Sequence, residues 1–284
     1  MGQLLESARR RLARARVHYG HGTDNAHDDA AALLRHALRV AASARVTLNA
    51  RVSATRRAAF ETLLERRIHE RIPVVYLTQE CWFAGLRMHV DPRVLIPRSP
   101  IAELIERRFE PWVQPRRVRR ILDLGTGSGC IAIACARAFP RASVDASDIS
   151  TDALAVARIN IRRHRLSKRV HALLSDHFAG LGTRSYDIIV SNPPYVGRRA
   201  FEALPAEYRH EPRRALEAGT DGLDSVRVLL RGAARRLRPG GILIVEVGDS
   251  ETAVRRAFRK LPFVWLTFER GGGGVFLLER EQLP

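Results

Sequence analysis

The stretch "ILDLGTGSGCIAIACA", residues 121–136, places an apolar strand, a glycine-rich loop and an apolar helix in immediate succession. Gly125, Gly127 and Gly129 allow the loop to turn sharply and to approach a ligand closely. The helix that follows leaves its first N–H groups free. Because position 130 is Cys130, the loop does not have the G-x-G-x-x-G spacing of nicotinamide-dinucleotide sites. The stretch predicts a ligand crevice at the carboxyl end of a buried strand.

Apolar segments alternate with helical ones from about residue 99 onward, which predicts a doubly wound, Rossmann-like α/β sheet. Seven strands are expected: RILDL (120–124), ASVDAS (142–147), VHALLS (170–175), YDIIVS (186–191), GILIVEV (241–247), FVWLTFE (263–269) and GVFLLER (274–280). Only RGGGG joins the last two, which is too short for a crossover helix, so they are expected to pair antiparallel. The GGGG run (271–274) matches no motif.

The first 80 residues predict helices and no strand. One helix is expected over residues 4–19, a second after a cap near Asp24, and a third that begins at Ser53 and stops before Pro73. The segment "CWFAGLRMHVDPRVLIPR" then predicts a short hairpin. The expected organisation is a helical domain over 1–80, a hairpin linker over 81–98 and an α/β domain over 99–284.

The chain carries a net charge of +18, with 48 basic residues against 30 acidic ones. Only two of the basic residues are lysines, so a bias in nucleotide composition explains the arginine excess as well as selection for a partner does. The charge is spread without a basic tail, although RRVRR (116–120) and Arg227, Arg231 and Arg235 form local clusters. Two interpretations stay open: solvated surfaces, or a patch that meets RNA or an RNA-bound protein.

Composition also argues against several classes of protein. No apolar run approaches the ~20 residues that span a bilayer. Glu6 and the missing cleavage pattern argue against a signal peptide. Cys81, Cys130 and Cys135 have no metal-ligand spacing and cannot build a disulfide framework. We therefore predict a soluble cytoplasmic protein without structural metal.

The acid before the glycine loop extends the motif. Asp123 completes D-x-G-x-G-x-G, which resembles motif I of the S-adenosylmethionine-dependent methyltransferases. A parallel sheet that ends in an antiparallel hairpin resembles the class I fold of the same family. The resemblance implies S-adenosylmethionine as cofactor. The residues expected to hold it in this loop are Asp123, Gly125, Thr126, Gly127, Ser128 and Gly129.

Two later strand ends are expected to complete the cofactor site. Asp148 lies 19 residues after the last loop glycine, where a carboxylate accepts both ribose hydroxyls. Asp145, inside the same strand, is the competing candidate. One strand later, the resemblance implies that Asp176 accepts from the adenine amine and that His177 or Phe178 packs on the ring. An ordinary loop histidine is the alternative for His177.

The segment "SNPPYVG", residues 191–197, follows the fourth strand and faces the same crevice. Prolines fix φ and donate no hydrogen bond, so the turn presents two acceptors, the Asn192 side-chain carbonyl and the Pro193 backbone carbonyl. Two such acceptors suit an NH₂ group, and Tyr195 stacks on the planar group that carries it. This arrangement predicts methylation of a poorly nucleophilic planar nitrogen without a strong general base.

The sequence of the linker and its neighbours indicates which class of substrate is methylated. "F-x-G-L-x-x-x-V-D-x-x-V-L-I-P-R" (83–98), "RIPVVYLTQ" (71–79) and "EYRHEPRRALEAGTDGLD" (207–224) resemble the protein-(glutamine-N(5)) methyltransferases. The continuation "PRSPIAELIE" (97–106) departs from the P-R-P-D-T-E of the release-factor branch. It resembles the branch that acts on large-subunit ribosomal protein three.

The resemblance implies that Asn192, Pro193, Pro194 and Tyr195 hold the target glutamine and that Phe83, Pro97 and Arg98 line its pocket. It also implies a ribosomal protein as partner, on its own or on ribosomal RNA in an assembling particle. Three alternatives stay open: a release-factor methyltransferase, a nucleic-acid amino-methyltransferase, and a non-enzymatic ribosome-assembly factor.

Overall fold

The computed structural model describes residues 1–40, 47 and 49–284. Within this part of the chain, no helix is long and apolar enough to cross a membrane. The α-helices are α1 Gly2–Ala15, α2 Ala26–Ala37, α3 Ala54–His69, α4 Val74–Thr78, α5 Ile101–Glu106, α6 Cys130–Ala138, α7 Thr151–Arg163, α8 Arg198–Glu202, α9 Asp224–Gly232 and α10 Glu251–Ala257.

The amino-terminal helices begin at capping side chains. Asn25, directly after Asp24, caps α2, because its extended backbone lets Oδ1 accept two N–H groups of the first turn. Ser53 caps α3 as predicted. That helix ends before Pro73, and Pro73 is the N-cap residue that directly precedes α4. The proline therefore marks a boundary between two helices.

A short hairpin follows, formed by β1 (Glu80–Phe83) and β2 (Leu86–His89) in antiparallel register. Ala84 and Gly85 both have positive φ, which suits a tight two-residue turn. The predicted linker was longer than this hairpin, since residues 90–98 form no strand. Tyr76 fixes part of that segment by donating to the Val94 carbonyl at 2.6 Å.

The predicted seven-stranded sheet is confirmed. Its strands are β3 Arg120–Leu124, β4 Ser143–Asp148, β5 Val170–Leu174, β6 Tyr186–Ser191, β7 Leu237–Glu246, β8 Val264–Leu266 and β9 Val275–Glu279. Their order is β5-β4-β3-β6-β7-β9-β8. The first five run parallel, and β9 pairs antiparallel with both β7 and β8. The edge strand β8 is shorter than predicted, since only Val264–Leu266 pair with β9.

Successive residues of the central strands point to opposite faces of the sheet. Ile121 packs into a core shared with α6, whereas Leu122 packs into a core shared with α9. The first core extends into the amino-terminal helices, where it includes Leu12 and Phe60. The predicted boundaries at residues 80 and 98 therefore divide a chain whose core is continuous, and they stay predictions.

Candidate functional site

A pocket of about 400 Å³ opens at the carboxyl ends of β3, β4, β5 and β6. Strand β3 lies between β4 and β6, so the chain winds away from it in both directions. Such a switch point is where open α/β sheets bind ligands. The glycine loop, the NPP turn, residues 93–95 and residues 212–215 complete the walls.

The glycine loop lines the pocket with Gly125 and Gly127, whose φ values are +75° and +53°. The N–H groups of Gly125 and Thr126 donate to the Ser147 carbonyl at 2.9 Å. These two N–H groups brace the loop against β4 and are not free for a ligand. At Gly129, an added Cβ would lie 3.2 Å from the Cβ of Ala157, so this glycine allows α6 and α7 to pack closely.

Asp123 lies beneath the loop and does not line the pocket. Its Oδ2 accepts from Thr126 Oγ1 at 2.5 Å and from the Ala132 N–H at 3.0 Å, which joins the loop to α6. Burial raises the pKa of Asp123 to about 7. The buried Thr126 and Ser128 also lie outside the pocket. Three of the residues expected to hold the cofactor, Asp123, Thr126 and Ser128, are therefore buried outside the pocket.

Asp148 ends β4 at the pocket wall. Its carboxylate oxygens accept from the N–H groups of Gly127 and Ser150, each at 2.9 Å. Burial raises the pKa of Asp148, and these N–H groups oppose the rise. Asp145 is buried elsewhere, where it accepts from the Tyr186 hydroxyl at 2.8 Å. Between the two candidate acids, only Asp148 faces the pocket.

Asp176 and His177 follow β5 and line the pocket. The sequence predicted that this strand end lies at the cofactor site, and contact with the adenine stays a prediction. The imidazole Nδ1 of His177 lies 2.7 Å from a carboxylate oxygen of Asp176. Phe178 instead packs into the core against Gly232. Sequence reasoning missed Ile149, which is 55% exposed and lines the pocket. An apolar residue directly after the ribose-binding candidate was the available signal.

The NPP turn lies across the pocket from Asp148. Asn192, Pro193 and Pro194 all line the cavity. The Oδ1 atom of Asn192 is buried and has no hydrogen-bond partner in the described chain. A buried acceptor without a partner is costly, so this oxygen needs a donor that the described chain does not supply.

Tyr195 turns away from the cavity. Its ring packs on Gly248, and its hydroxyl donates to Glu246 Oε1 at 3.3 Å. Ser250 holds the Tyr195 carbonyl with a hydrogen bond of 2.7 Å. Tyr195 therefore supports the NPP turn from behind, and stacking on a substrate stays a prediction.

The structure does not bring Phe83, Pro97 and Arg98 into the pocket. Phe83 and Pro97 are buried in the core, and the Pro97 carbonyl lies 3.5 Å from the Cys81 sulfur. Arg98 pairs with Glu211 at 2.8 Å and borders a second cavity. That cavity of about 310 Å³ also includes residues 271–272, which gives the GGGG run a location.

Two charged groups near the site were missed by sequence reasoning. Arg214 lines the pocket, and its charge favours the ionised form of Asp148. Glu211 is buried, and the Arg98 guanidinium helps to lower its pKa against the opposing effect of burial. His21, from the amino-terminal region, lies 3.0 Å from the same carboxylate. These contacts join segments far apart in the chain, so local patterns do not reveal them.

The residues present fit S-adenosylmethionine. Asp148 offers a carboxylate for hydroxyl groups, and Ile149 offers an apolar surface for a planar base. Gly125 and Gly127 bring the backbone of the glycine loop to the same cavity. Within the described part of the chain, no His, Cys, Asp and Glu residues are grouped to hold a metal ion.

Solved structures share this fold. The chain is similar to the crystal structure of a methyltransferase from Pyrococcus furiosus, with a TM-score of 0.50 and 22% identity, over 69% of this chain and 89% of that one. It is also similar to the hMettl16 catalytic domain in complex with MAT2A 3'UTR hairpin 6, with a TM-score of 0.52 and 18% identity, over 82% and 86%. Together with the family model below, these confirm the class I methyltransferase fold.

Two family models match the sequence: "Methyltransferase small domain" over residues 109–264 and "PrmC N-terminal domain" over residues 3–78. Curated relatives named ribosomal protein uL3 glutamine methyltransferase match nearly the whole chain. The Bordetella pertussis protein is 46% identical over 99% of this chain and 95% of its own length. The Neisseria meningitidis serogroup A protein is 46% identical over 99% and 93%. The chain therefore belongs to the ribosomal protein uL3 glutamine methyltransferase family.

Proposed function

We propose that this chain transfers a methyl group from S-adenosylmethionine to the side-chain amide nitrogen of a glutamine in ribosomal protein uL3. The observation that carries the proposal is the buried, unpartnered Oδ1 of Asn192 on a Pro–Pro turn beside the glycine loop. Membership of a family whose curated relatives are named for this reaction supports the substrate.

The chemistry follows from the two acceptors of the turn. An amide nitrogen is a weak nucleophile because its lone pair is delocalised into the carbonyl. Asn192 Oδ1 and the Pro193 carbonyl accept the two N–H groups, orient the nitrogen and stabilise the positive charge that develops on it. When bound, S-adenosylmethionine supplies the methyl group on a positively charged sulfur. The nitrogen loses a proton to solvent as the new N–C bond forms, so a strong general base is not required.

The roles divide between the two walls of the pocket. We assign cofactor binding to Gly125, Gly127, Asp148, Asp176 and His177, which line it, and add Ile149. Asp123, Thr126, Ser128 and Gly129 act by shaping the loop. We assign the target amide to Asn192 and Pro193, with Pro194 as the rigid support.

We propose that the protein partner is uL3 and that the reaction takes place in the cytoplasm. We also propose that the enzyme accepts uL3 while it is bound to ribosomal RNA. Five exposed cations lie between Asp152 and Asp176, a span without acidic residues. They are Arg158, Arg162, Arg163, Arg165 and Lys168. Within the described part of the chain, no carboxylate pairs with them. In contrast, Arg227 of the predicted cluster is paired with Asp221 and Asp224. Exposed cations that no carboxylate neutralises are suited to bind the phosphate groups of RNA.

A competition assay tests the substrate. Purified uL3, uL3 on ribosomal RNA and a peptide-release factor are offered together with labelled S-adenosylmethionine. We expect label in uL3 that survives nuclease and is lost to protease, with little label in the release factor. Preferential labelling of the release factor would reverse the substrate assignment but leave the glutamine chemistry. Label that is lost on nuclease digestion would show that the substrate is a nucleic acid. That result would contradict both the uL3 assignment and the glutamine chemistry.

A further inference from the structure

Glu246 ends β7 directly beside the NPP turn. Strands β6 and β7 pair in parallel with Ser191 opposite Val245, so the next residues, Asn192 after β6 and Glu246 at the end of β7, are neighbours at this edge of the sheet. Glu246 is 5% exposed and does not line the pocket. A carboxylate buried at this place, out of reach of a ligand, requires partners within the protein.

Donors from separate segments converge on this carboxylate. Ser99, from the segment after the hairpin, donates to Oε2, and the Tyr195 hydroxyl donates to Oε1 at 3.3 Å. The Arg98 guanidinium and the Asn192 amide, which the strand register places beside Glu246, both favour the charged form of this carboxylate. The carboxylate therefore links the NPP turn to the segment that precedes α5.

The contact with Asn192 sets the orientation of an amide. A side-chain amide has a donor end and an acceptor end, and a half-turn about its last bond exchanges them. A carboxylate accepts hydrogen bonds and cannot donate them. Asn192 must therefore turn Nδ2 toward Glu246, which leaves Oδ1 for the other side. The Oδ1 atom is indeed buried without a partner in the described chain.

We propose that Glu246 is a positioning residue that fixes the Asn192 amide with its oxygen toward the substrate amide. Its effect on methyl transfer rests on the proposed function, whereas the orientation itself does not. Without the carboxylate, Asn192 could present its own NH₂ group to the NH₂ group of the substrate. Two donors would then face each other, and the amide lone pair would lose its alignment.

The charge of Glu246 matters for this role. Burial raises its pKa to about 7, while Ser99, Tyr195, Arg98 and Asn192 oppose the rise. Arg98 is itself balanced by Glu211, and Asp249 adds negative charge near Tyr195. Below the pKa, the protonated carboxyl donates a hydrogen bond, and the Asn192 oxygen can turn toward it. Methyl transfer is therefore expected to decline as the pH falls through about 7.

Kinetics of Glu246→Gln test the proposal. We expect kcat to fall by about 10²-fold, the scale of a misplaced reacting group, with cofactor Kd unchanged and the acidic limb of the pH profile lost.

Ser99→Ala removes one donor to the charged form of Glu246, so it should move the acidic limb to higher pH. Glu103→Gln is the matched control, since Glu103 is also a buried glutamate, 6% exposed, but contacts neither Asn192 nor Tyr195. An unchanged pH profile in Glu246→Gln would overturn the proposal.

A second measurement needs no substrate. The side-chain NH₂ resonance of Asn192 is identified by its loss in Asn192→Ala and followed by NMR across pH 5–9. We expect a step near the pKa of Glu246 in the wild type and none in Glu246→Gln. A resonance that does not titrate in the wild type would refute the positioning role even if methylation of uL3 is observed. A titrating resonance without methylation of uL3 would instead contradict the proposed substrate alone.

Discussion

Asp148 and Asn192 show how single side chains define the two walls of the pocket. Backbone N–H groups hold each oxygen of Asp148, and the residue lines the cavity. Asn192 keeps an oxygen without any partner in the described chain. The position of each at a strand end was readable in the sequence, because parallel strands deliver their carboxyl-terminal residues to one edge.

Substitution of Asp148 by alanine is expected to weaken S-adenosylmethionine binding by roughly 1–3 kcal/mol, the scale of hydrogen bonds to a charged acceptor. Calorimetry on the purified protein measures this directly. Asp152→Ala is the matched control, since Asp152 is exposed in the first turn of α7 and outside the pocket. Equal affinity for the two variants would remove Asp148 from the cofactor site.

The side chains around Glu246 were beyond prediction for a physical reason. An acid inside the apolar segment GILIVEV was visible, but its partners were not. Ser99 and Tyr195 reach it across 147 and 51 residues of sequence. Similarly, D-x-G-x-G-x-G located the loop but not the direction of Asp123, which points into the protein. Spacing along the chain predicts backbone position better than side-chain direction.

At the scale of elements, alternating strands and helices were predictable because each has a local period and local end signals. The contacts that attach the amino-terminal helices to the rest of the protein were not predictable from such local signals. Arg67 of α3 is fully buried, donates to Asp29 of α2 at 2.7 Å and donates to Glu207 at 3.3 Å. This ion cluster ties the helical region to the segment that leads from α8 to the pocket wall at residues 212–215.

Arg67→Ala is expected to lower the free energy of unfolding by about 3–5 kcal/mol, because it leaves the buried Asp29 without its cation and Glu207 with only the more distant Arg71. Urea denaturation compares it with Arg66→Ala. The Arg66 side chain is 46% exposed and pairs with an exposed glutamate, so its loss should cost less than about 1 kcal/mol. Similar losses in both variants would show that the buried cluster does not hold the helical region in place.

At the scale of the whole molecule, one core joins the helical region to the catalytic sheet. Deletion of residues 1–80, as a test of substrate recognition, would also expose that core, so point variants on exposed faces are more informative. The resemblance to the branch that acts on large-subunit ribosomal protein three implies a basic substrate, which a chain with a net charge of +18 would repel at long range. Short-range contacts, or RNA that bridges two basic surfaces, must then select the substrate.

The most direct test of the account is tandem mass spectrometry of uL3 after incubation with S-adenosylmethionine and either the wild-type protein or Asn192→Ala. The wild type is expected to add one methyl group to a glutamine side chain. Asn192→Ala should reduce the rate by about 10²–10³ with cofactor affinity retained, because it removes one positioned acceptor of the transition state. Wild-type turnover in Asn192→Ala, or methylation at a residue other than glutamine, would contradict the account.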